Sequence, residues 1–515
     1  MKKSGTGQAQ DQATLITSLQ RATAYPHPVT DFQVMDTHIS WVILTGKFAY
    51  KIKKALRLEF LDFSTLELRR HFCEEELRLN RRWAPELYLD VVPIRGTLER
   101  PTLLGDGEPI EYAVKMLQFH QEWQLDKQLA LGRLTEDDMR NLAETIHGYH
   151  EKADVAPPMD GAEVMRTVSS PMYDNFVPLT EVADGTQLEQ LRTWTRQSLE
   201  QLHDTIVDRQ RSGFVRECHG DLHLTNLVRL PSGIVPYDCV EFASELRTMD
   251  VLSDLSFLFM DLVSRHRADL AYVLINRYLE KSGDYAGMSV MGLYFVYHCL
   301  IRAKVAAIRN TERSLRELGY RLSTAVEWIE RPSPVLIVMH GLSATGKTWL
   351  SSRVLSRMPA IRLRSDIERK RLHGLGELES SESGLAEGIY TDTATVGVYE
   401  QMLKMAKTLL QAGFNVILDA AFLQREWRHE ARELAAGQGA GFVILETITG
   451  GDELARRLRE RAQDKSEASE ADLDVLDYQK RHAEPLDEGE RQRCVSVASD
   501  REIDLQEIVR KLRGS

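Results

Sequence analysis

The feature that most constrains the fold is an apolar run, V-L-I-V-M-H at 335–340, that leads directly into the loop G-L-S-A-T-G-K-T at 341–348. A short apolar run bounded by turn residues is typical of a buried strand, and the helical pattern W-L-S-S-R-V-L follows the loop. Glycines let backbone N–H groups turn inward around a phosphate, and the N-terminus of the next helix adds positive charge. The sequence therefore predicts a P-loop NTPase domain of α/β type with a parallel sheet.

Each residue of this loop has a predicted role in holding ATP and Mg²⁺. We expect Gly341 and Gly346 to permit the tight turn, and Lys347 to reach the β and γ phosphates and to support catalysis. The hydroxyl of Thr348 is expected to bind the magnesium ion. The intervening residues complete the predicted nucleotide contacts: Ser343, Ala344 and Thr345.

The next apolar strand of this domain narrows the reaction class. The stretch F-N-V-I-L-D ends at Asp419, whose carboxylate is suited to bind Mg²⁺. Mechanical ATPases usually place a water-activating glutamate at the following position, but here that residue is Ala420. No N-K-x-D guanine signature occurs in the sequence. The pattern favours a kinase over a motor protein or a GTPase.

The front part of the chain begins with strand signals and continues mainly with helical ones. W-V-I-L at 41–44 and F-A-Y-K-I-K at 48–53 flank a T-G turn, which predicts a β-hairpin. Ser64, with Glu67 three residues later, predicts the N-cap and capping box of the following helix. Most of 135–330 has a helical pattern. The front part is therefore predicted to be of α+β type.

Two prolines in E-R-P-S-P, at 330–334, mark the sharpest boundary in the chain. At roughly 100 to 200 residues per domain, 515 residues imply about three units, or two of which one is bilobed. We predict a front domain at 1–331 and a P-loop kinase domain at 332–515. The front domain is expected to have a small lobe at about 25–115 and a helical lobe at about 116–331.

A short polar island in the front domain, H-G-D-L-H-L-T-N at 219–226, lies between apolar runs. Phosphoryl transfer needs a base beside the acceptor hydroxyl and oxygen ligands for Mg²⁺. Asp221 can accept the hydroxyl proton, Asn226 can bind the metal, and Asp238 follows the next strand as a second ligand. A further group is interpreted as a structural ion-pair and capping cluster: Arg247, Asp250 and Asp254.

This island, followed by Y-D-C-V-E-F, resembles the aminoglycoside phosphotransferase and choline kinase group, small-molecule kinases with a bilobed protein-kinase-like fold. By this resemblance Asp221 is the catalytic base, and Asn226 and Asp238 are the metal ligands. The stretch F-A-Y-K resembles the V-A-I-K strand of kinases and assigns Lys51 to the ATP phosphates. Lys53 lies on the same strand face and is a competing candidate.

The acid that pairs with this lysine is expected in the helix that follows the hairpin. The E-E-E run offers Glu74, Glu75 and Glu76, of which we select Glu75. Two departures weigh against a protein kinase, because only Gly46 lies at the turn before the lysine and no A-P-E segment follows Asp238. Both departures are compatible with the small-molecule branch.

In the P-loop domain, I-R-L-R-S-D-I-E-R-K-R-L resembles small P-loop kinases such as gluconate kinase, chloramphenicol phosphotransferase and the zeta-toxin group. The resemblance makes Asp366 the base that faces the acceptor hydroxyl, and Arg369 a substrate or phosphate contact. An alternative remains open, because Ser365 and Glu368 have capping-box spacing and Asp366 then only favours a helix N-terminus.

The stretch E-L-A-R-R-L-R-E-R predicts a helix that places Arg457 and Arg461 on one face, four residues apart. Such arginines could close as a lid over the transferring phosphoryl group, with Arg457 at the nucleotide and Arg461 in catalysis. A solvated basic face is the alternative interpretation.

Composition excludes several classes of function. A net charge of -12 and a pI near 5.8 argue against a nucleic-acid-binding surface, which needs clustered Lys and Arg. The five cysteines lack C-x-x-C or metal-ligand spacing, so disulfides and zinc are not expected and a cytoplasmic location fits best. Charged residues interrupt the most apolar helical stretches, so no membrane span is expected. The N-terminal M-K-K-S-G-T-G-Q-A-Q-D-Q has no apolar core and is expected to form a frayed tail.

The whole arrangement resembles a bacterial fusion of an aminoglycoside-phosphotransferase-like domain with a P-loop kinase domain. It predicts a bifunctional enzyme that uses ATP and Mg²⁺ to phosphorylate hydroxyl groups of small molecules at two sites, with neither nucleic acid nor membrane as a partner. Two alternatives stay open: one domain is a nucleotide-sensing regulator of the other, or the chain is a toxin-type kinase acting on a nucleotide-sugar. The acceptors and the oligomeric state stay open as well.

Overall fold

The chain folds into two compact units. The computed structural model describes residues 6–58, 61–379, 381, 389, 391–461 and 473–513. The first unit comprises Met1–Met159 with Arg209–Leu258, and the second comprises Asp160–Asp208 with Phe259–Ser515. The predicted domain boundary at 331/332 falls inside the second unit, at the point where helices give way to a parallel sheet.

The first unit opens with an antiparallel sheet of six strands. The elements are α1 (Thr6–Ser18), β1 (Gln33–Asp36), β2 (Ser40–Leu44), β3 (Phe48–Lys53), β4 (Arg57–Leu58), β5 (Leu61–Asp62), α2 (Leu66–Trp83), β6 (Tyr88–Gly96), β7 (Pro101–Thr102) and β8 (Pro109–Leu117). The strand order is β1-β2-β3-β8-β6-β7. Strands β2 and β3 pair antiparallel around the T-G turn, so the predicted hairpin is confirmed.

Helix α1 is part of the folded small lobe. Its buried Leu15 packs in one apolar cluster with sheet residues that include Ile43. The side-chain amide of Gln12 donates to the carbonyl of Lys53 at 3.0 Å and to the carboxylate of Glu111 at 2.9 Å. The expectation of a frayed tail was wrong for this helix, because its apolar face and one glutamine are both buried.

Helix α2 begins one residue later than its capping pattern predicts. Its N-cap is Thr65, whose hydroxyl accepts a hydrogen bond from the amide of Leu68. The amide and the hydroxyl of Ser64 instead both donate to Asp62. The predicted cap at Ser64 was therefore wrong, because the Ser64 side chain is already bonded to the preceding aspartate.

Helices dominate the middle of the chain. The elements are α3 (Leu125–Ala130), α4 (Glu136–Lys152), α5 (Gly161–Asp174), α6 (Gly185–Gln201), α7 (His203–Arg211), β9 (Val215–Glu217), β10 (Leu227–Leu230), β11 (Gly233–Pro236), β12 (Thr248–Asp250), α8 (Val251–Ser264), α9 (Ala268–Ser282), α10 (Met288–Arg309) and α11 (Glu312–Ile329). Short 3-10 turns also occur, at Ala22–Ala24, Gln121–Trp123, Val177–Leu179, Leu224–Asn226 and Ser244–Leu246. The polar island lies between β9 and β10, within the first unit.

The C-terminal part of the second unit is built on a parallel sheet. The elements are β13 (Val335–His340), α12 (Lys347–Leu355), β14 (Ile361–Arg364), α13 (Ser365–Leu372), α14 (Asp392–Gln411), β15 (Val416–Asp419), α15 (Arg425–Gly437), β16 (Gly441–Ile448), α16 (Gly451–Arg461), α17 (Leu473–His482), α18 (Glu488–Arg491), β17 (Cys494–Ala498) and α19 (Leu505–Arg513). The strand order is β14-β15-β13-β16-β17. Strand β13 is buried along its whole length between β15 and β16, so the glycine loop leaves the carboxyl end of the central strand, where open α/β sheets bind ligands.

Helix α9 covers one edge of this sheet, the outer side of β14. The side-chain amide of Asn276 on α9 donates to the carbonyl of Ala360 at 2.9 Å. The Asn276 Oδ1 atom accepts a hydrogen bond from the amide of Arg362 at 2.7 Å. One asparagine therefore satisfies two backbone groups that a further strand would otherwise pair.

One helix among the described residues, α10, is long and apolar enough to cross a membrane by length and composition, with a mean hydropathy of 1.3. More than half of this apolar window, 56%, is buried inside the protein. Helices in the core of compact domains pass the same test, because their apolar surface is covered by neighbouring elements.

Candidate active sites

The first candidate site is built around two lysines on β3. The Lys51 ammonium lies 2.8 Å from the Glu76 carboxylate on α2 and 2.5 Å from the Asp238 carboxylate. The Lys53 ammonium lies 2.7 Å from the second oxygen of Glu76 and is also paired with Glu241. Glu76 therefore bridges the two lysines, and each lysine has a further carboxylate from the segment that follows β11.

The choice of Glu75 as the partner acid was wrong. Glu75 pairs with Arg78 and Arg247, each at 2.7 Å, whereas Glu76 pairs with both lysines. Successive residues on a helix are rotated by about 100°, so two adjacent glutamates cannot face the same neighbour. Glu74, one position earlier, is half exposed on the helix surface.

Exposure separates the two lysines. The Lys51 side chain is 12% exposed, but the Lys53 side chain is fully buried at 0%, so only Lys51 is placed to meet a nucleotide phosphate. The assignment of Lys53 to the cofactor is therefore corrected to a buried ion pair. Burial lowers the pKa of Lys51, but the carboxylates of Asp238 and Glu76 outweigh it and raise the pKa well above its ordinary value. The ammonium therefore stays charged despite its burial.

The polar island presents its aspartate at the surface. The Asp221 side chain is 39% exposed, which leaves it accessible to an acceptor hydroxyl. Its Oδ2 atom accepts a hydrogen bond from the Asn226 side-chain amide at 2.9 Å, and the His223 ring lies 3.3 Å from Oδ1. Because the Asn226 nitrogen faces Asp221, its side-chain oxygen is the atom left to hold a cation. Sequence reasoning missed His223, although the island itself contains it.

Backbone hydrogen bonds join the island to the segment that carries Asp238. The amide of Tyr237 donates to the carbonyl of Asn226 at 3.0 Å, and the amide of Val240 donates to the carbonyl of His219 at 3.1 Å. The His219 Nε2 atom lies 3.0 Å from the Tyr237 carbonyl, and its Nδ1 atom accepts from the Asp221 amide at 3.3 Å. These partners fit a neutral ring protonated on Nε2, and burial lowers the pKa of His219 accordingly.

A buried carboxylate on α8 holds the start of the island. Asp254 accepts hydrogen bonds from the amides of His219 at 3.1 Å and Gly220 at 2.9 Å, and it lies 3.1 Å from the His150 ring. Burial raises the pKa of Asp254, but the hydrogen bonds to His150 and to the loop amides outweigh burial and lower the pKa below its ordinary value. The carboxylate is therefore charged. Asp250 at the start of α8 pairs with Arg209 at 2.6 Å. These contacts agree with the structural interpretation of this cluster.

Gly220 occupies the position where the kinase catalytic loop has arginine. Its φ of +83° lies in the left-handed region, and a Cβ atom there would lie 2.8 Å from the carbonyl oxygen of Leu246. A side chain at this position would therefore clash with backbone as well as strain the turn. The glycine is required by the close approach of the chain.

Asp238 itself has an unusual backbone conformation, with φ of +63°. Two anchors hold this conformation: the Asp238 amide donates to the Tyr88 hydroxyl at 3.1 Å, and the Cys239 amide donates to the Asn80 side-chain oxygen at 2.9 Å. Left-handed backbone in a residue other than glycine persists where surrounding contacts determine it and is often found at functional sites. The carboxylate and amide oxygens of Asp238 and Asn226 are hard donors of the type that Mg²⁺ prefers.

The second candidate site is the glycine loop after β13. Gly341, Ala344 and Gly346 all have left-handed backbone, with φ of +139°, +63° and +93°. A Cβ atom at Gly341 would lie 2.7 Å from the carbonyl oxygen of Thr447. Left-handed residues in such a loop direct backbone N–H groups inward, and these groups line an anion-binding concavity, as the sequence predicts.

Two side chains of the loop bond to the loop itself. The Lys347 ammonium donates to the carbonyls of Gly341 at 3.0 Å and Leu342 at 2.8 Å. The Thr345 hydroxyl donates to the Leu342 carbonyl at 2.8 Å. Lys347 therefore lies across the concavity. The phosphates of a nucleotide would replace these carbonyls as the acceptors of its hydrogen bonds.

The predicted metal ligands of this site lie on adjacent elements. Asp419 ends β15 and is buried, and its Oδ2 atom accepts a hydrogen bond from the Ser351 hydroxyl at 2.9 Å. Ser351 and Thr348 are one turn apart on α12, which begins at Lys347. A carboxylate and a hydroxyl are suited to Mg²⁺ through their oxygen atoms. Sequence reasoning missed Ser351, which has no motif of its own.

Helix α13 carries Asp366 in its first turn, as predicted. The alternative capping box is not formed, because Ser365 makes no capping bond and Glu368 pairs with Arg371. The strand end at Arg364 stands in register with Asp419, so α13 starts beside the predicted metal ligand. This placement keeps Asp366 as the candidate base of the second site.

Arg369 has a different environment from the one predicted. The side chain is buried, and its Nη1 atom donates to the carbonyl of Ile389 at 2.9 Å and to the hydroxyl of Thr395 at 3.1 Å. The expected substrate or phosphate contact is therefore corrected to a structural one, because the guanidinium connects α13 to the start of α14.

Helix α16 packs over the glycine loop. Leu454 and Leu458 form an apolar cluster with Leu476 on α17, and the partly buried Leu342 and Ala344 of the loop pack against it. This packing agrees with a lid, the function predicted for the arginines of α16.

The structure describes the side chain of one of the two predicted lid arginines. Arg457 bonds to the Ser499 hydroxyl at 3.0 Å and to the Ala344 carbonyl at 3.4 Å, so it reaches the loop. The Arg461 side chain lies outside the described residues. An unpredicted lid residue, Gln479 on α17, accepts a hydrogen bond from the amide of Ser343 at 2.7 Å. A lid glutamine thus contacts one of the loop amides.

Comparison with known proteins covers both parts of the chain. The family described as AAA domain matches residues 336–486. An uncharacterized protein of Mycobacterium tuberculosis is 28% identical over 457 residues, which cover 87% of this chain and 90% of that protein.

Among solved structures, choline kinase from Cryptosporidium parvum is 10% identical with a TM-score of 0.40, and the match covers 62% of this chain and 95% of that one. A putative kinase from Chloroflexus aurantiacus is 21% identical with a TM-score of 0.29, over 36% of this chain and 98% of that one.

The predicted fold class is confirmed. The antiparallel sheet with its Lys51–Glu76 pair and the mainly helical region after it have the α+β make-up predicted for the protein-kinase-like part. The parallel sheet with its glycine loop forms the P-loop part. The chain therefore joins a part built on an antiparallel sheet and helices to a P-loop part that matches the AAA domain family.

Proposed function

We propose that the protein transfers the γ-phosphoryl group of ATP to hydroxyl groups of small molecules, at two separate sites. The observation that carries the proposal is the convergence of segments far apart in sequence on the first site. The island and the segment after β11 are joined by backbone bonds, and the latter brings Asp238 to Lys51. A base, two oxygen ligands and an ammonium are the groups that phosphoryl transfer needs.

At the first site, Asp221 is the proton acceptor for the substrate hydroxyl. As the acceptor oxygen bonds to the γ-phosphorus and the bond to the ADP oxygen breaks, the hydroxyl proton passes to the Asp221 carboxylate. Asn226 and His223 hold that carboxylate in place through the contacts at 2.9 and 3.3 Å. Lys51 exchanges its bond to Asp238 for the ATP phosphates, while Glu76 keeps it oriented. Asn226 and Asp238 would hold Mg²⁺, which when bound would neutralise phosphate charge.

At the second site, the backbone of the glycine loop and Lys347 would hold the phosphates, and Thr348 and Asp419 would hold Mg²⁺. Asp366, at the start of α13, is the base for a second acceptor. Arg457 on α16 reaches the loop through a hydrogen bond to the Ala344 carbonyl. The acceptor of this site is a small molecule with a hydroxyl group. Its proton passes to Asp366 as its oxygen bonds to the γ-phosphorus and the bond to the ADP oxygen breaks.

The relative from Mycobacterium tuberculosis supports a joint role for the two parts. Its alignment over 457 residues is longer than either predicted domain, so the two parts occur together in that chain as well. A chain with net charge of -12 and cysteines that are all free fits a cytoplasmic enzyme acting on small molecules.

The test measures ATP consumption by the full chain against a panel of small hydroxyl compounds. Asp221→Asn keeps the shape of the side chain but removes the proton acceptor, and we expect turnover of the first acceptor to fall about 10²- to 10⁴-fold. Lys347→Ala is expected to abolish turnover of a different compound and to leave the first acceptor unaffected. The two variants are controls for each other, because each alters one site.

Two results would contradict the proposal. If Asp221→Asn retains full turnover of every acceptor, Asp221 is not the base of an active first site. If one of the two variants changes only nucleotide-dependent stability, the altered domain is a nucleotide sensor and the chain has a single active kinase.

A further inference from the structure

A charged network links helix α9 to the predicted magnesium ligand of the second site. The Arg362 guanidinium on β14 lies 3.0 Å from the Glu280 carboxylate on α9. Its other terminal nitrogen donates to the Ser352 hydroxyl at 2.7 Å and to the Ser351 hydroxyl at 3.2 Å. Ser351 in turn donates to Asp419. Glu280 is therefore connected to the metal ligand through one arginine and one serine.

The same arginine is close to a second anion. Arg362 Nη1 lies 4.0 Å from the Asp419 carboxylate, which is longer than a hydrogen bond but within the range of an ion pair. Its Nε atom has no hydrogen-bond partner within the part of the chain that the structure describes. The guanidinium is thus held through its terminal nitrogens, with Glu280 on one side and the serines and Asp419 on the other.

Burial makes the balance between these two carboxylates matter. Glu280, Arg362 and Asp419 are all at least nine-tenths buried. Burial raises the pKa of Glu280, but Arg362 outweighs it and lowers the pKa, so Glu280 is charged. A buried cation that loses one anionic partner is strongly driven toward another. Among the described residues, the second carboxylate within 4.0 Å of the Arg362 guanidinium is Asp419, the predicted magnesium ligand.

We propose that Glu280 is a positioning residue for magnesium at the P-loop site: it holds Arg362 away from Asp419 and so leaves that carboxylate available to the metal. This inference rests on the proposed function of the second site. It assigns a role in the P-loop reaction to a helix that precedes the predicted P-loop domain by about 50 residues. Magnesium affinity at this site then depends on the contact between α9 and β14.

The test is isothermal titration calorimetry, in which MgCl₂ is titrated into the full chain saturated with ADP. The heat that Lys347→Ala removes belongs to the P-loop site. At the P-loop site, Glu280→Gln is expected to weaken magnesium binding about 10- to 100-fold. This is the range found when a residue that supports a metal ligand is lost. Nucleotide binding without Mg²⁺ should stay within about 3-fold, because the backbone of the glycine loop is unaltered.

Helix α9 itself offers a matched control. Arg277, also on α9, pairs with Glu377 at 2.9 Å and with Glu280 at 3.2 Å. Glu377→Gln therefore removes a neighbouring carboxylate but keeps Glu280 and its ion pair with Arg362. We expect it to change the magnesium dissociation constant by less than about 3-fold.

A double variant separates positioning from packing. Glu280→Gln combined with Arg362→Met removes both buried charges, so Asp419 is no longer exposed to an unpaired Arg362 and magnesium binding should return to within about 3-fold of the unaltered chain. A role of Glu280 in packing alone predicts no such recovery. If Glu280→Gln does not fold, the double variant, which lacks the unpaired charge, and Ser351→Ala decide the matter. Ser351→Ala removes the hydroxyl bonded to Asp419 and is expected to weaken magnesium binding about 10-fold.

The outcomes are distinct. Unchanged magnesium affinity in Glu280→Gln, or in Ser351→Ala where only that variant folds, overturns the inference. Equal losses in Glu280→Gln and Glu377→Gln, or a double variant as weak as the single one, overturn it too. If the unaltered chain shows no magnesium-dependent heat that Lys347→Ala removes, the proposed P-loop site itself is wrong, which is a different result.

Discussion

The two candidate sites contain similar chemical groups but assemble them differently. The P-loop site has its predicted phosphate contacts within eight consecutive residues, and its shape comes from left-handed backbone at Gly341, Ala344 and Gly346. The protein-kinase-like site takes its groups from β3, α2, the polar island and the segment after β11. One site is a local backbone structure, and the other is an arrangement of side chains held by tertiary contacts.

The difference has consequences for how each site tolerates change. A backbone cradle depends on glycine conformation and on the strand before it, so most side chains around it can vary. The side-chain site depends on buried charges that must balance, here two lysines against Glu76, Asp238 and Glu241. Loss of one buried partner should therefore harm the side-chain site more.

The largest expected effect follows from that balance. Glu76→Gln leaves two buried ammonium groups short of one carboxylate and should lower the free energy of unfolding of the first unit by about 3–5 kcal/mol. Glu75→Gln, one residue away, should lower it by about 1–2 kcal/mol, because both of its arginine partners, Arg78 and Arg247, keep an ion pair with Glu217. Urea unfolding of the two variants compares them directly, and equal losses would contradict the assignment of Glu76.

The next effect concerns a glycine in the side-chain site. Gly220→Ala places a Cβ atom 2.8 Å from a backbone oxygen and should lower the free energy of unfolding by about 2–3 kcal/mol, while also displacing Asp221 and reducing turnover. Gly132→Ala is the matched control, since Gly132 has φ of +67° but no atom near the added Cβ. It should show only the strain of left-handed backbone, about 1 kcal/mol. Similar values for both would remove the proposed clash.

A smaller effect separates metal from nucleotide at the P-loop. Thr348→Ala removes a predicted magnesium ligand and should lower Mg²⁺-dependent turnover by at least about 10-fold, with nucleotide binding in the absence of Mg²⁺ nearly unchanged. Thr345→Ser is a control in the same loop, because it keeps the hydroxyl that bonds to the Leu342 carbonyl. Equal losses in turnover and metal-free nucleotide binding would contradict the role of Thr348.

The smallest effect is a dependence of stability on pH. Burial raises the pKa of Glu217, but Arg78, Arg82 and Arg247 outweigh it and lower the pKa to about 2. Because the folded pKa lies below the ordinary value, the stabilisation is present above about pH 4.5 and is lost as the pH falls toward 2. Glu217→Gln should flatten the fall in unfolding free energy of the first unit over this range.

The second unit provides the comparison for this measurement. Glu490 pairs with the buried Arg428 at 2.7 Å, and this arginine lowers the pKa of Glu490 despite its burial. Glu490→Gln should flatten the acid dependence of the second unit and leave that of the first unchanged. A Glu217→Gln chain that unfolds with the unaltered pH dependence would show that its arginine contacts persist in the unfolded state or contribute nothing.

The sequence predicts local structure well in both parts. The hairpin of β2 and β3, the buried strand β13, the strand that ends at Asp419 and the glycine loop are all confirmed, because each is defined by the periodicity or backbone needs of neighbouring residues. The island motif also predicts that Asp221 and Asn226 belong to one site, and their side chains are hydrogen-bonded at 2.9 Å.

Choices that depend on helix phase or tertiary contacts could not be made in the same way. Glu76 could have been preferred to Glu75, because it shares a buried face with Cys73 and Asn80, three and four residues away. The pairing of Lys53 with Glu241 joins residues 188 positions apart and leaves no local signal. The same holds for the contact of Glu280 with Arg362, 82 positions apart.

The asparagine on α9 that bonds to Ala360 and Arg362 bears on how this protein can be divided for study. A fragment that starts at residue 332 lacks α9, so the outer backbone groups of β14 become an open margin that a second molecule can extend. Such fragments should dimerise or precipitate by pairing their sheets, whereas a fragment that starts at residue 259 retains the helix and should stay monodisperse. The boundary that is evident in the sequence is therefore a poor place to cut the chain.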